Sequence, residues 1–132
     1  MRFFFDRSMG KRIPQAFARL GLDAIAHDDL FDQTTPDDQW LAAAGEQGWI
    51  VITKDDRIRF NEAERAALIA HKVGCFVLTE RDASSWQMAQ NLMRVWDTIT
   101  QIAESAPKPF LYAIHADGTV RERTLAATDP PA

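Results

Sequence analysis

The stretch Gly48-Trp49-Ile50-Val51-Ile52-Thr53-Lys54-Asp55 decides the fold. Ile50, Val51 and Ile52 are β-branched and apolar in succession, so the strand they form has no polar face to offer water. A strand that is apolar on both faces belongs in the middle of a parallel sheet covered by helices on each side. The run stops at Thr53, Lys54 and Asp55, so the carboxyl end of this strand opens onto charged chain.

Upstream, Thr35-Pro36-Asp37-Asp38 reads as a helix start. Thr35 can cap, Pro36 suits the first helical position, and two carboxylates meet the positive end of the helix dipole. Trp40, Leu41 and Ala44 form its apolar side and Gly48 ends it. Asp28 to Thr35 is polar and reads as a loop, preceded by a weak strand over Leu22 to His27. Before that, Ile13, Phe17 and Leu20 recur at helical spacing between Pro14 in a first turn and Gly21 at the stop. The chain opens with a short apolar strand, Arg2 to Phe5, followed at once by Asp6.

Downstream, Asn61-Glu62-Ala63-Glu64 resembles a capping box and starts a helix ending near Lys72. Cys75 to Leu78 is a fourth strand. Ser84-Ser85-Trp86-Gln87 opens the longest helix, whose stripe is Met88, Leu92, Val95, Trp96, Ile99, Ile102 and Ala103. Phe110 to His115 and Thr119 to Leu125 flank Asp117-Gly118, a hairpin signal, and this hairpin either extends the sheet edge or pairs with another subunit. Repeated strand–helix alternation predicts an α/β fold of three layers with a mainly parallel sheet. One domain is expected over 1–127, with a core at 1–104, the hairpin at 110–125 and a tail at 128–132.

The bulk properties narrow the function. The 132 residues are 46% hydrophobic and 26% charged, enough for one packed core. The net charge of -4 argues against a binder that holds nucleic acid by bulk positive charge, but leaves room for a nuclease with a local basic rim. The lone Cys75 sits in an apolar run and reads as a buried, inert thiol, which fits a reducing cytoplasm. The N-terminal apolar run is too short for a signal peptide, and no stretch reaches the roughly 20 apolar residues of a membrane span.

In parallel sheets ligands bind at the carboxyl ends of the strands. Asp6 follows the first strand, Asp55 follows the third, and Asp37 and Asp38 open the helix whose N-terminus shares that rim. Such crowded carboxylates call for protonation, solvation or a cation. Hard oxygen donors without His or Cys companions point to Mg²⁺ or Mn²⁺. Each acid alone is more often a turn or capping residue, and the set carries more weight because three acids fall where the fold places a ligand site. Lys11, Arg12, Lys54, Arg57 and Arg59 could form a basic fringe that grips RNA phosphate, against the plainer reading of a solvated charged loop.

With these residues in place, the chain resembles the PIN-like domain family, especially the compact VapC-type toxins of toxin–antitoxin systems. The likeness rests on the first strand ending in Asp6, the helix with Pro14 leading to Leu20-Gly21, Thr35-Pro36-Asp37-Asp38-Gln39-Trp40-Leu41, and above all Gly48 to Asp55. It implies a three-layer PIN-like fold, a Mg²⁺ or Mn²⁺ site and endoribonuclease activity on RNA. It also implies a cognate antitoxin and frequent homodimers. By motif position Asp6, Asp37 and Asp55 match the metal-holding acids, with Asp38 as an alternative to Asp37. This chain carries Arg7 and Ser8 where many relatives carry Glu and Asn, and has no identified fourth acid. Those departures suit a second reading, a PIN-like binding module without catalysis.

Overall fold

The structure, a computed structural model, describes residues 1–54, 62–80 and 82–125. Six strands form one sheet: β1 (Phe3–Phe5), β2 (Ala24–Ala26), β3 (Ile50–Thr53), β4 (Gly74–Leu78), β5 (Phe110–Ile114) and β6 (Val120–Glu122). Their order is β2-β1-β3-β4-β5-β6. The first five run parallel, and β6 pairs antiparallel with β5. The described residues also form α-helices α1 (Arg12–Arg19), α2 (His27–Leu30), α3 (Asp37–Gln47), α4 (Glu62–His71) and α5 (Ser85–Ser105).

Alternation along the strands divides the core into two slabs. Phe3, Phe5, Ile50, Ile52, Phe76, Leu78, Phe110 and Ile114 point to one face, where Ile13 and Phe17 of α1 and the stripe Met88, Leu92, Val95, Ile99 and Ala103 of α5 cover them. Phe4, Val51, Cys75, Val77, Leu111 and Ala113 point to the other, beneath Trp40, Leu41 and Ala44 of α3 and Ala67 and Leu68 of α4. All four residues of β3 are buried, as a strand clothed on both faces requires. The fold is therefore α/β in three layers, as the alternating sequence predicts. The hairpin extends the sheet: β5 pairs with β4 over its whole length.

Several local expectations give way to packing. Leu20 is 69% exposed, because α1 ends at Arg19 and position 20 lies past the turn that faces the core. The segment read as a loop from Asp28 begins inside a single helical turn, α2, closed by Phe31 N–H donating to the His27 carbonyl at 2.9 Å. That turn brings the His27 and Phe31 rings against Phe4, each at 6.0 Å between centroids. Thr35 makes no cap: α3 starts at Asp37, with Pro36 in the cap position. At α5 the capping box is complete, Ser84 Oγ accepting from Gln87 N–H while the Gln87 side chain accepts from Ser84 N–H.

Candidate active site at the carboxyl rim of the sheet

Because β1 to β5 are parallel, their carboxyl ends share one rim. Asp6 leaves β1 there, with its N–H donating to the Ile52 carbonyl at 3.0 Å, so β3 fixes its place. The chain then turns through one 3-10 turn, Arg7–Met9, for which Asp6 is the cap. Asp6 Oδ1 accepts from Ser8 N–H at 3.0 Å and from the Ser8 hydroxyl. Ser8 Oγ lies 3.1 Å from Thr53 Oγ1 and accepts from Lys54 N–H at 3.3 Å. The ends of β1 and β3 are thus sewn together by one carboxylate and two hydroxyls.

Asp6 is 8% exposed. Burial pushes its carboxyl from 3.8 up to about 6, against the opposing pull of hydrogen bonds from Ser8 and Thr53, and the charge of Asp37 pushes it further in the same direction. A carboxylate held this way is short of positive charge. Asp37, at the start of α3, faces the same place. Its Oδ1 accepts from Trp40 Nε1 at 3.0 Å and from Arg7 Nη2 at 2.9 Å, and Arg7 Nη1 also donates to the Gln33 carbonyl. Arg7 is thus held between the Gln33 carbonyl and the Asp37 carboxylate.

The structure separates the two neighbouring acids of α3. Asp38 is exposed and lies 3.3 Å from His71 Nε2, on the side of α4. Asp37 is the one that reaches the Asp6 side of the rim. Asp55, Arg57 and Arg59 lie outside the described residues. Lys11 pairs with Asp29 at 3.5 Å, Arg12 is exposed at the start of α1, and Lys54 is half-buried beside Ser8. Among the described residues no three acids or histidines gather closely enough to hold an ion. Asp6 and Asp37 make a pair, with the hydroxyls of Ser8 and Thr53 beside it.

Arg7, Ser8 and Trp40 are parts of this site that sequence reasoning did not assign to it. Ser8 carried a readable signal, since an Asp followed two residues later by a hydroxyl favours a side-chain-closed turn. Arg7 and the indole N–H of Trp40 carried none, because their partner depends on where α3 docks. Cys75 is buried on the other slab, and desolvation pushes its thiol well above the usual range, so it is inert as read.

Known proteins resemble this chain in sequence. A protein of Mycobacterium tuberculosis named "Putative ribonuclease VapC45" is 29% identical over 123 residues, covering 89% of this chain and 88% of that protein. No solved structure matches the chain. A family model described as "PIN like domain" matches residues 1–80, which take in β1 to β4 and both Asp6 and Asp37. With a helix-clad parallel sheet and acids at its carboxyl rim, the chain belongs to the PIN-like domain family.

Proposed function

We propose that the protein is a metal-dependent endoribonuclease, the toxin of a toxin–antitoxin pair, that hydrolyses RNA phosphodiester bonds with Mg²⁺ or Mn²⁺. The observation that carries this reading is the buried Asp6 carboxylate beside Asp37 at the rim where a parallel sheet presents its ligands. The donor set fits such an ion: the carboxylate and hydroxyl oxygens of Asp6, Ser8 and Thr53 are hard donors that suit a divalent cation.

Asp6 and Asp55 would hold the ion, with Asp37 completing the shell or orienting a water. When bound, a divalent ion lowers the pKa of water and stabilises charge on a phosphoryl group. Ser8 and Thr53 fix the Asp6 carboxylate so that its direction is set before anything binds. Lys54, Lys11 and Arg12, with Arg57 and Arg59, would supply the basic fringe for phosphate. An RNA substrate, a cognate antitoxin, a homodimer and a cytoplasmic setting belong to the same reading, which the M. tuberculosis relative named "Putative ribonuclease VapC45" supports. No helix among the described residues is long and apolar enough to cross a membrane.

Purified protein incubated with structured RNAs and Mn²⁺ should cleave them, stop on chelation, and lose activity as Asp6→Asn or Asp55→Asn. Cleavage that ignores chelator, or survives Asp55→Asn, removes the proposal. One observation favours a second reading. The ion pair of Arg7 with Asp37 neutralises the site without any metal, as suits a binding module that has lost catalysis. Titration calorimetry with Mn²⁺ separates the two, since the module would take up none.

A further inference from the structure

We propose that Arg7 is an internal counter-cation of the acidic site, which competes with the divalent ion for Asp37 and sets the metal concentration at which the site fills. This rests on the reading of Asp6 and Asp37 as part of a cation site, and adds a residue with a role in it.

Arg7 follows Asp6 directly, in the turn capped by Asp6 itself, so its backbone cannot move far from the acids. Its Nη2 lies 2.9 Å from Asp37 Oδ1 and its Nη1 donates to the Gln33 carbonyl. Trp40 Nε1 binds the same Oδ1 at 3.0 Å, so that oxygen already has two donors. The pair is 41% and 37% exposed, so the guanidinium can swing into solvent without leaving a buried charge behind. An ion pair this exposed contributes little to folding. Its effect on an incoming divalent ion is larger, because a positive charge tethered beside the acids opposes a second cation there, and the ion must compete with the arginine for Asp37 Oδ1. A salt bridge placed merely to tie the 3-10 turn to α3 would have no influence on metal affinity; one that shares Asp37 with the ion must.

Titration calorimetry with Mn²⁺ alone reads this directly, without RNA. Arg7→Gln should bind Mn²⁺ at least about fivefold more tightly than the wild type, since it removes one nearby unit charge. Arg7→Lys keeps the charge and should stay within about twofold of the wild type. In an Asp37→Asn background the change at position 7 should have much less effect, because the shared carboxylate is gone. Thermal melts in chelator check that each variant folds; should Arg7→Gln fail to, Arg7→Met carries the same test. Equal or weaker binding by the uncharged variant overturns the proposal while leaving the ribonuclease reading in place. If the wild type and every Arg7 variant take up no Mn²⁺, both readings fall together.

Discussion

Asp6 is where the chemistry of single residues can be weighed. Its carboxyl is raised to about 6 in the folded state, from 3.8, so between those values the folded protein holds a proton that the unfolded chain has lost. Stability contributed by the protonated acid is therefore present below pH 4 and is lost as pH rises toward 6. The ionised, metal-free form is penalised by about 3 kcal/mol at neutral pH. Asn accepts the same Ser8 hydrogen bonds without the charge, so metal-free Asp6→Asn should be more stable than the wild type by about 1–3 kcal/mol at pH 7. The difference should shrink toward zero near pH 4. Urea denaturation of both proteins in chelator across that range measures it, and an Asn variant that unfolds at pH 7 would make Asp6 a structural residue. The position of Asp6 was legible because an apolar strand ending in an acid needs no tertiary knowledge. Which of Asp37 and Asp38 faces it was not. Consecutive helical residues point about 100° apart, and only the docking of α3 on β1 and α4 decides which one turns to the rim.

At the scale of elements, contacts between helices and strands govern what the chain tolerates. Gly45 lies in α3 against the end of α4: a Cβ built there would stand 2.0 Å from the His71 carbonyl oxygen and 2.9 Å from the His71 Cβ. Ala favours helix over Gly by about 1 kcal/mol, so an isolated α3 would gain from the exchange. In the protein, Gly45→Ala should instead lower stability by about 2 kcal/mol or more, because the clash is with backbone that cannot rotate away. It should also disturb the Asp38–His71 contact that joins these helices. A neutral or stabilising result in chemical denaturation would show that α3 and α4 are free to part. In the sheet, Ile52→Asp should cost more than about 4 kcal/mol, since it sets an unpaired charge in a strand flanked by β1 and β4 and fully buried; a soluble variant with a native melt would refute the central place of β3. The strands β1, β3 and β4 were readable from runs of apolar, largely β-branched or aromatic residues. The turn α2 was not, because His27-Asp28-Asp29-Leu30 has no periodic signal, and it forms to seat His27 and Phe31 on Phe4.

For the whole molecule the open question is whether residues 1–104 are a sufficient unit. The family match ends at residue 80, and the hairpin could be taken for an appendage. The packing says otherwise. β5 sends Phe110 and Ile114 into one slab of the core and Leu111 and Ala113 into the other, and it covers the β4 edge along all five pairs. Polar ties fasten the same region from α5: Asn91 donates to the His115 carbonyl at 2.9 Å, and Arg94 donates to the Ala116 carbonyl at 2.8 Å. Arg123 reaches His115 Nε2 at 3.0 Å across the turn. Removing residues 110–132 would uncover β4 as an apolar edge and withdraw the buried side chains of Phe110, Leu111, Ala113, Ile114 and Leu125, the larger of them worth on the order of 1.5–3 kcal/mol each when fully buried. A domain of this size has a margin of about 5–15 kcal/mol. The truncated protein should therefore lose its cooperative thermal transition, or aggregate through the exposed edge. Circular dichroism melts and sedimentation of the two lengths decide the point: a monomeric, cooperatively melting fragment ending at residue 109 would show that the four-stranded unit folds alone and that the hairpin is an addition to it.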